Sequence, residues 1–257
     1  MKLRHTLVGL CLLALAFTPS AQSATISIFE GTFYLNSPDL SGGISVFDTR
    51  LPVLGPGNFP SGLVLTFSNN LDVNTNLGTM TVDVVNNTGI SLTNAQFFGF
   101  LDADIGQSGG GNNRGDASGF TPGSGSTDAA PDSWEIGDLA LTAIITHLLT
   151  GTLTNANAVP IMGDVGLALG FDLGSLADNG SIHATFDLSS TNNGGLRQID
   201  NESRDSLYFN GAVQVDNGAA EAVPEPASLA LFGTGLVGLG CIVRRQSKNR
   251  RQSRNPF

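Results

Sequence analysis

Apolar and polar residues alternate with a period of two in many short segments between residues 24 and 222, a spacing typical of β-strands. The segment 79–84 shows it clearly, because Met80, Val82 and Val84 share one face and polar side chains occupy the other. Turns rich in glycine and asparagine separate eight or more such segments. The pattern predicts a mostly β fold, an antiparallel β-sandwich with jelly-roll-like connectivity. The other predicted strands begin at Ile26 or span residues 63–67, 97–101, 165–173, 182–188 and 207–215.

Three segments between these strands carry other local signals. The sequence Asn-Asn-Thr-Gly at residues 86–89, followed by more apolar positions, predicts the turn of a β-hairpin. Residues 107–126 are rich in glycine, asparagine and serine, which predicts an exposed, mobile loop. Residues 139–149 predict the one short helix, because apolar side chains recur there every three or four positions, at Leu141, Ile144, Ile145 and Leu148.

Charge is distributed unevenly along the chain, and the acidic stretch between residues 24 and 222 limits the kinds of partner that it can bind. Only four arginines accompany 21 acidic residues between residues 24 and 222, which gives this stretch a net charge of −17. Such a surface repels phosphate backbones, so nucleic acid is excluded as a partner, whereas cations are favoured. The stretch also contains no cysteine, which excludes a disulfide or a cysteine-based zinc site within it.

Both ends of the sequence have the features of targeting segments. Residues 1–23 combine a basic start, an apolar run and a small-residue cleavage site, which predicts a secretory signal peptide. Residues 227–243 are uncharged and close to the minimum length of a membrane-spanning helix. The basic residues after position 243 predict that this end faces the cytoplasm and that the acidic domain, residues 24–222, is exported.

Glycines within the apolar stretch 227–243 have the spacing of a dinucleotide-binding loop. Such a loop needs a strand before it and an acidic residue after it, and both are missing here. The sequence therefore predicts no dinucleotide cofactor. Instead, Pro224-Glu225-Pro226, the apolar stretch and Arg244-Arg245 follow one another in order. Over residues 223–257 they resemble the PEP-CTERM sorting signal of Gram-negative bacteria. The resemblance implies recognition by an exosortase, a membrane-embedded protease that removes the tail near Pro-Glu-Pro. It also implies transient anchoring in the inner membrane and release to the surface or the exopolysaccharide of a biofilm or floc.

Acidic residues around the glycine-rich loop suggest a cation site. Asp102, Asp104, Asp132 and Glu135 could supply the oxygen ligands that calcium prefers, although their spacing does not match an EF-hand. Trp134, between two of these acids, could stack on a sugar ring or fill a core position. A calcium- or carbohydrate-binding module is therefore an alternative function.

A catalytic function has weaker support. Residues 106–110 fit the pattern G-x-S-x-G around Ser108, but a nucleophile elbow needs a strand that runs into a helix, and here a glycine-rich loop follows. Only His147 and His183 could act as bases in the domain, and His183 is predicted to face solvent. A secreted hydrolase, including a glycosidase with paired carboxylates, remains the third alternative. We expect a non-catalytic structural or interaction protein.

Overall fold

The structure is a computed structural model of the 257-residue chain, and it describes residues 26–40, 44–48, 61–106, 110–123, 129–139 and 143–218. The predicted signal peptide and the predicted sorting signal both lie outside these ranges. Within the described ranges, no helix combines the length and the apolar character needed to cross a bilayer.

Two six-stranded sheets contain the described strands. The strands are β1 (Ile26–Asn36), β2 (Ile44–Asp48), β3 (Leu63–Asn69), β4 (Gly78–Asn86), β5 (Leu92–Ile105), β6 (Asn113–Asp116), β7 (Ser133–Asp138), β8 (Ala156–Asn157), β9 (Val165–Leu176), β10 (Ser181–Ser189), β11 (Leu196–Asp200) and β12 (Ser206–Asp216). The first sheet has the order β2-β1-β5-β9-β7-β8, and the second has the order β3-β4-β10-β12-β11-β6. Neighbouring strands are antiparallel except for the short parallel pair β7 and β8.

The main core lies between the two sheets and follows from the alternation in the sequence. On β4, Met80, Val82 and Val84 are all buried, as their shared face predicts. The ring of Phe186 on β10 lies 5.1 Å from the ring of Phe33 in the first sheet and 5.5 Å from that of Phe209 in the second. Side chains from both sheets therefore form one hydrophobic cluster.

The helix α1 (Ala143–Thr150) covers part of the outer face of the first sheet. Its residues Ile144 and Leu148 are fully buried and pack with Tyr34, Phe98 and Phe100 in a second apolar cluster. Strand β5 is thus covered on both faces, which explains its continuous apolar run at residues 97–101. The prediction of one short helix in residues 139–149 is confirmed, and so is the mostly β fold with two antiparallel-rich sheets.

Two predictions about connections are wrong. Residues 86–89 do not form a hairpin, because β4 pairs with β3 and β10 in the second sheet, whereas β5 pairs with β1 and β9 in the first. This connection instead crosses between the sheets, and the buried Asn86 side chain holds it to both. The segment 107–126 is also not one exposed loop, because β6 lies within it and pairs with β11.

The two sheets are joined along one side by hydrogen bonds from β6 to β8 and to the segment after it. The backbone N–H of Gly115 donates to the carbonyl of Val159 at 2.8 Å, and the Asn157 side chain donates to the carbonyl of Gly115 at the same distance. A single β-bridge joins Asn113 to Gly163. On the opposite side, β2 and β3 are the outermost strands of their sheets.

Candidate functional site

The candidate acid-base pair of the domain is Glu135 with His147. Glu135 lies on the face of β7 that α1 covers, and its side chain is only 5% exposed. The Nδ1 atom of His147, in the last turn of α1, lies 2.8 and 2.9 Å from the two carboxylate oxygens. The backbone N–H of Thr154 donates a further hydrogen bond at 3.0 Å. The pair thus fastens the end of α1 and the segment after it to the sheet.

Among the described residues, no hydroxyl group forms a hydrogen bond with the His147 ring. Ser108, the nucleophile that the hydrolase hypothesis requires, lies outside the described ranges. The prediction that His183 faces solvent is confirmed, because its side chain is 54% exposed on the outer face of the second sheet. There its Nδ1 lies 2.6 Å from the carboxylate of Asp83 on the neighbouring strand. The two histidines consequently lie on the outer faces of different sheets.

The strand register separates the four proposed calcium ligands. Asp102 and Asp104 share the outer face of β5, and Asp102 lies directly opposite Glu30 of β1. Glu135 lies on β7, two strand spacings or about 10 Å from β5. Asp132 precedes β7, where its carboxylate accepts a hydrogen bond of 2.6 Å from the backbone of Asp172.

Calcium ligands must all lie within about 2.6 Å of one ion, so these four residues do not surround a common site. Among the residues that the structure describes, no group of three or more histidine, cysteine, aspartate or glutamate side chains is arranged to hold a metal. The sequence-based grouping of Asp102, Asp104, Asp132 and Glu135 is therefore not reproduced by the strand register.

Trp134 packs against the edge of the main core and is half-buried. Its ring meets that of Phe120 edge to face, with 6.0 Å between the ring centres. Nearby, a shallow groove of about 390 Å³ runs along β12 and is lined by glycine, alanine, proline, threonine and asparagine. The described residues that line this groove carry no titratable side chain and offer it backbone groups and a few neutral side chains.

An outer-face cluster that sequence reasoning missed lies at the end of the second sheet, on β6, β11 and β12. We name Arg114, Asp116, Arg197 and Tyr208 the arginine patch. Asp116, Arg197 and Tyr208 form one cross-strand row, and Arg114 lies two residues from Asp116 on the same face. The only signal in the sequence was the scarcity of cations, because two of the four arginines between residues 24 and 222 meet here.

Arg197 is the most connected side chain of the arginine patch. Its Nε and Nη2 atoms donate to the hydroxyl of Ser206 at 3.0 and 2.7 Å, and its guanidinium lies 5.5 Å from the centre of the Tyr208 ring. Its Nη1 lies 3.7 Å from the carboxylate of Asp116. The pKa of Asp116 is lowered, first because the backbone N–H of Ser118 donates to the carboxylate and also because Arg197 and Arg114 lie close by.

Comparison with known proteins identifies the segment after the β domain. Residues 222–245 match the family model described as the PEP-CTERM protein-sorting motif. This match includes Pro224, Glu225, Pro226, Arg244 and Arg245, so the resemblance seen in the sequence is confirmed. No curated protein matched the chain, and no solved structure did. The chain therefore carries the PEP-CTERM protein-sorting motif, the signal of exported proteins that are anchored transiently in the membrane and recognised by an exosortase.

Proposed function

We propose that the protein is an exosortase-sorted component of the cell surface or extracellular matrix, with a non-catalytic structural or interaction role in a biofilm or floc. The observation that carries this proposal is the sorting motif at residues 222–245. The signal peptide predicted at residues 1–23 and the spanning helix predicted at 227–243 support the same route. The exported part is a β-sandwich with jelly-roll-like connectivity, and its partner is the exopolysaccharide.

A non-catalytic role is supported by the use the fold makes of its potential acids and bases. The Nδ1 atom of His147 contacts Glu135, where it fastens α1 to the first sheet. His183 pairs with Asp83 across an exposed sheet face rather than in a cleft. The groove beside β12 has no titratable side chain among its described lining residues. The hydroxyl of Thr185 lies 3.4 Å from the Nε2 atom of His183, but this pair lies on an exposed sheet face. Within the described chain, these arrangements serve packing or solubility.

The sorting step can be tested by expressing the full chain in cells with and without the exosortase. Mass spectrometry of the C-terminus is expected to show truncation near residues 224–226 only when the protease is present. Replacing Pro224, Glu225 and Pro226 together by alanine should leave the intact chain in the membrane. Pro160→Ala, at an exposed proline of the β domain, is the matched control and should be processed normally. Intact chain found soluble inside both kinds of cell would overturn the proposal.

The non-catalytic role needs a separate test in cells that lack the protein. The double variant His147→Gln, His183→Gln leaves no histidine after residue 23 and so removes every imidazole base from the exported part. We expect this variant, once shown to be folded and exported, to restore matrix cohesion as well as the unchanged protein does. A folded, exported double variant that fails to restore cohesion would instead favour a hydrolase.

A further inference from the structure

Arg114 lies on the outer face of β6 and contains one of the buried side-chain polar atoms without a hydrogen-bond partner. Its Nε is buried from solvent, yet it donates no hydrogen bond. Among the described residues, the Arg114 guanidinium forms no ion pair, although it lies close enough to Asp116 to lower the pKa of that carboxyl. A buried donor without an acceptor is costly, and such groups in folded proteins call for a partner. Nε itself is covered, so an external acceptor reaches Arg114 through the exposed part of its side chain.

The surroundings of Arg114 indicate what kind of acceptor fits. The arginine patch has two cations and one carboxylate, which makes it locally positive on a domain with a net charge of −17. A guanidinium binds a carboxylate through two parallel hydrogen bonds, and Arg114 has donors for this geometry. The row of Asp116, Arg197 and Tyr208 extends over two strand spacings, about 10 Å, beside it. The Tyr208 ring provides an aromatic surface within that row.

We propose that the arginine patch binds the carboxylate groups of an acidic polysaccharide, with Arg114 as the principal ligand and Tyr208 and Arg197 as the surface on which the sugar ring rests. This inference rests on the proposed function, which places the domain among extracellular polysaccharide. A densely charged polyphosphate or nucleic acid fits less well, because the surrounding acidic surface repels a high density of negative charge. A glycan with one carboxylate per sugar has a lower charge density. One of its carboxylates can contact the arginine patch while the surrounding acidic surface repels the rest of the chain less strongly.

The test measures binding of a uronic-acid trisaccharide, tri-galacturonate, to the full-length protein in detergent, with neutral maltotriose as the comparison ligand. Arg114→Gln is expected to weaken tri-galacturonate binding by about tenfold or more, because charge-assisted hydrogen bonds are lost. Arg204→Gln removes the same charge from an exposed turn and is the matched control. It should change the affinity by less than about twofold, since exposed charges are screened by salt.

Two more variants separate ligand binding from a purely structural role of Arg114. Asp116→Asn removes the competing carboxylate but retains an oxygen that can accept from Ser118, so it should tighten binding. Arg114→Lys preserves the charge without the planar fork and should bind less tightly than the unchanged protein. An effect on folding alone would shift the melting temperature of these variants and leave their affinities unchanged. That result would overturn the proposal.

A direct readout comes from the Nε–H signal of Arg114 in a nitrogen-15 spectrum, assigned by its loss in Arg114→Gln. We expect this signal to move on titration with tri-galacturonate and to stay in place with maltotriose. The proposal fails if the signal does not move, if Arg114→Gln and Arg204→Gln lower the affinity equally, or if tripolyphosphate binds as tightly as the uronate. Binding is measured on purified protein, so its failure is distinct from a failure of exosortase sorting.

Discussion

At the residue scale, Asn86 shows how one buried amide can determine where the chain goes. Its Nδ2 donates to the carbonyl of Ile90 after the turn and to those of Leu176 and Ala177 at the end of β9. Its Oδ1 accepts from both the backbone N–H and the hydroxyl of Thr88. One side chain in the second sheet thus satisfies carbonyls that belong to the first, and it does so without exposure to water.

We expect Asn86→Ala to lower the free energy of unfolding by about 2–3 kcal/mol, because three carbonyls, one of them in a fully buried hydrogen bond, would lose their donor. Urea denaturation of the full chain measures the change. The neighbouring Asn87 is exposed and has no side-chain hydrogen bond within the described chain, so Asn87→Ala is the matched control and should have an effect near zero. Equal losses for the two variants would show that the crossing does not depend on the Asn86 amide.

The same residue explains one error of sequence reasoning. A turn signal such as that of residues 86–89 reports local backbone preference, whereas the choice of sheet depends on distant partners at Leu176 and Ala177. The long alternating strands were predictable because their periodicity is local. The arginine patch was not, because Arg114 and Arg197 are far apart in sequence and meet only through the register of β6 and β11. The sorting motif was predictable because its parts follow one another in order.

At the scale of elements, the two sheets approach each other closely around one aromatic ring. A side chain at Gly99 of β5 or at Gly211 of β12 would meet the ring of Phe186 on β10. The Phe186 ring therefore packs directly against the backbone of these two glycines, and the rings of Phe33 and Phe209 pack around it. Strands β6 and β8 have only four and two residues, too few to show an alternation of apolar and polar positions. Their formation depends instead on contacts with distant parts of the chain.

We expect Gly99→Ala to lower the free energy of unfolding by about 1–3 kcal/mol, because the added methyl group overpacks the core against Phe186. The exposed Gly111 has open space where its Cβ would lie, so Gly111→Ala is the control and should be close to neutral. Adding Phe186→Leu to Gly99→Ala should recover part of the loss, which a double-mutant cycle detects. Strictly additive losses would contradict this account of sheet packing.

At the scale of the whole molecule, acidic side chains act as hydrogen-bond acceptors that organise turns. The pKa of Asp39 is lowered mainly by hydrogen bonds from Thr93, and that of Asp72 mainly by the backbone N–H of Asn74. The pKa of Asp116 is lowered in the same direction. Asp164 is the opposite case, because burial and the nearby carboxylate of Asp138 raise its pKa. The acidity of the domain thus contributes to structure as well as to solubility.

We expect the unfolding free energy to fall as the pH drops below about 4. Carboxylates with a lowered folded pKa stabilise the native state above their ordinary pKa of 3.8, and this contribution disappears as the pH falls through the folded values. Asp164 partly offsets the trend, since its protonation removes an unfavourable buried charge. Urea midpoints measured from about pH 7 to about pH 3 test this. A triple variant with asparagine at positions 39, 72 and 116 should show a shallower decline, and an equal decline would contradict the assignment.

The position of β12 in the second sheet has a mechanical consequence for a protein held by its C-terminal end. Strand β12 is paired on both flanks, with β10 over residues 181–189 and with β11 over residues 196–199, and the chain leaves it towards the sorting motif. Antiparallel hydrogen bonds run perpendicular to the strands, so a pull transmitted along β12 loads many of them simultaneously instead of peeling them one at a time. While the sorting motif anchors the chain in the membrane, a pull on that end therefore acts on the hydrogen bonds along both flanks of β12.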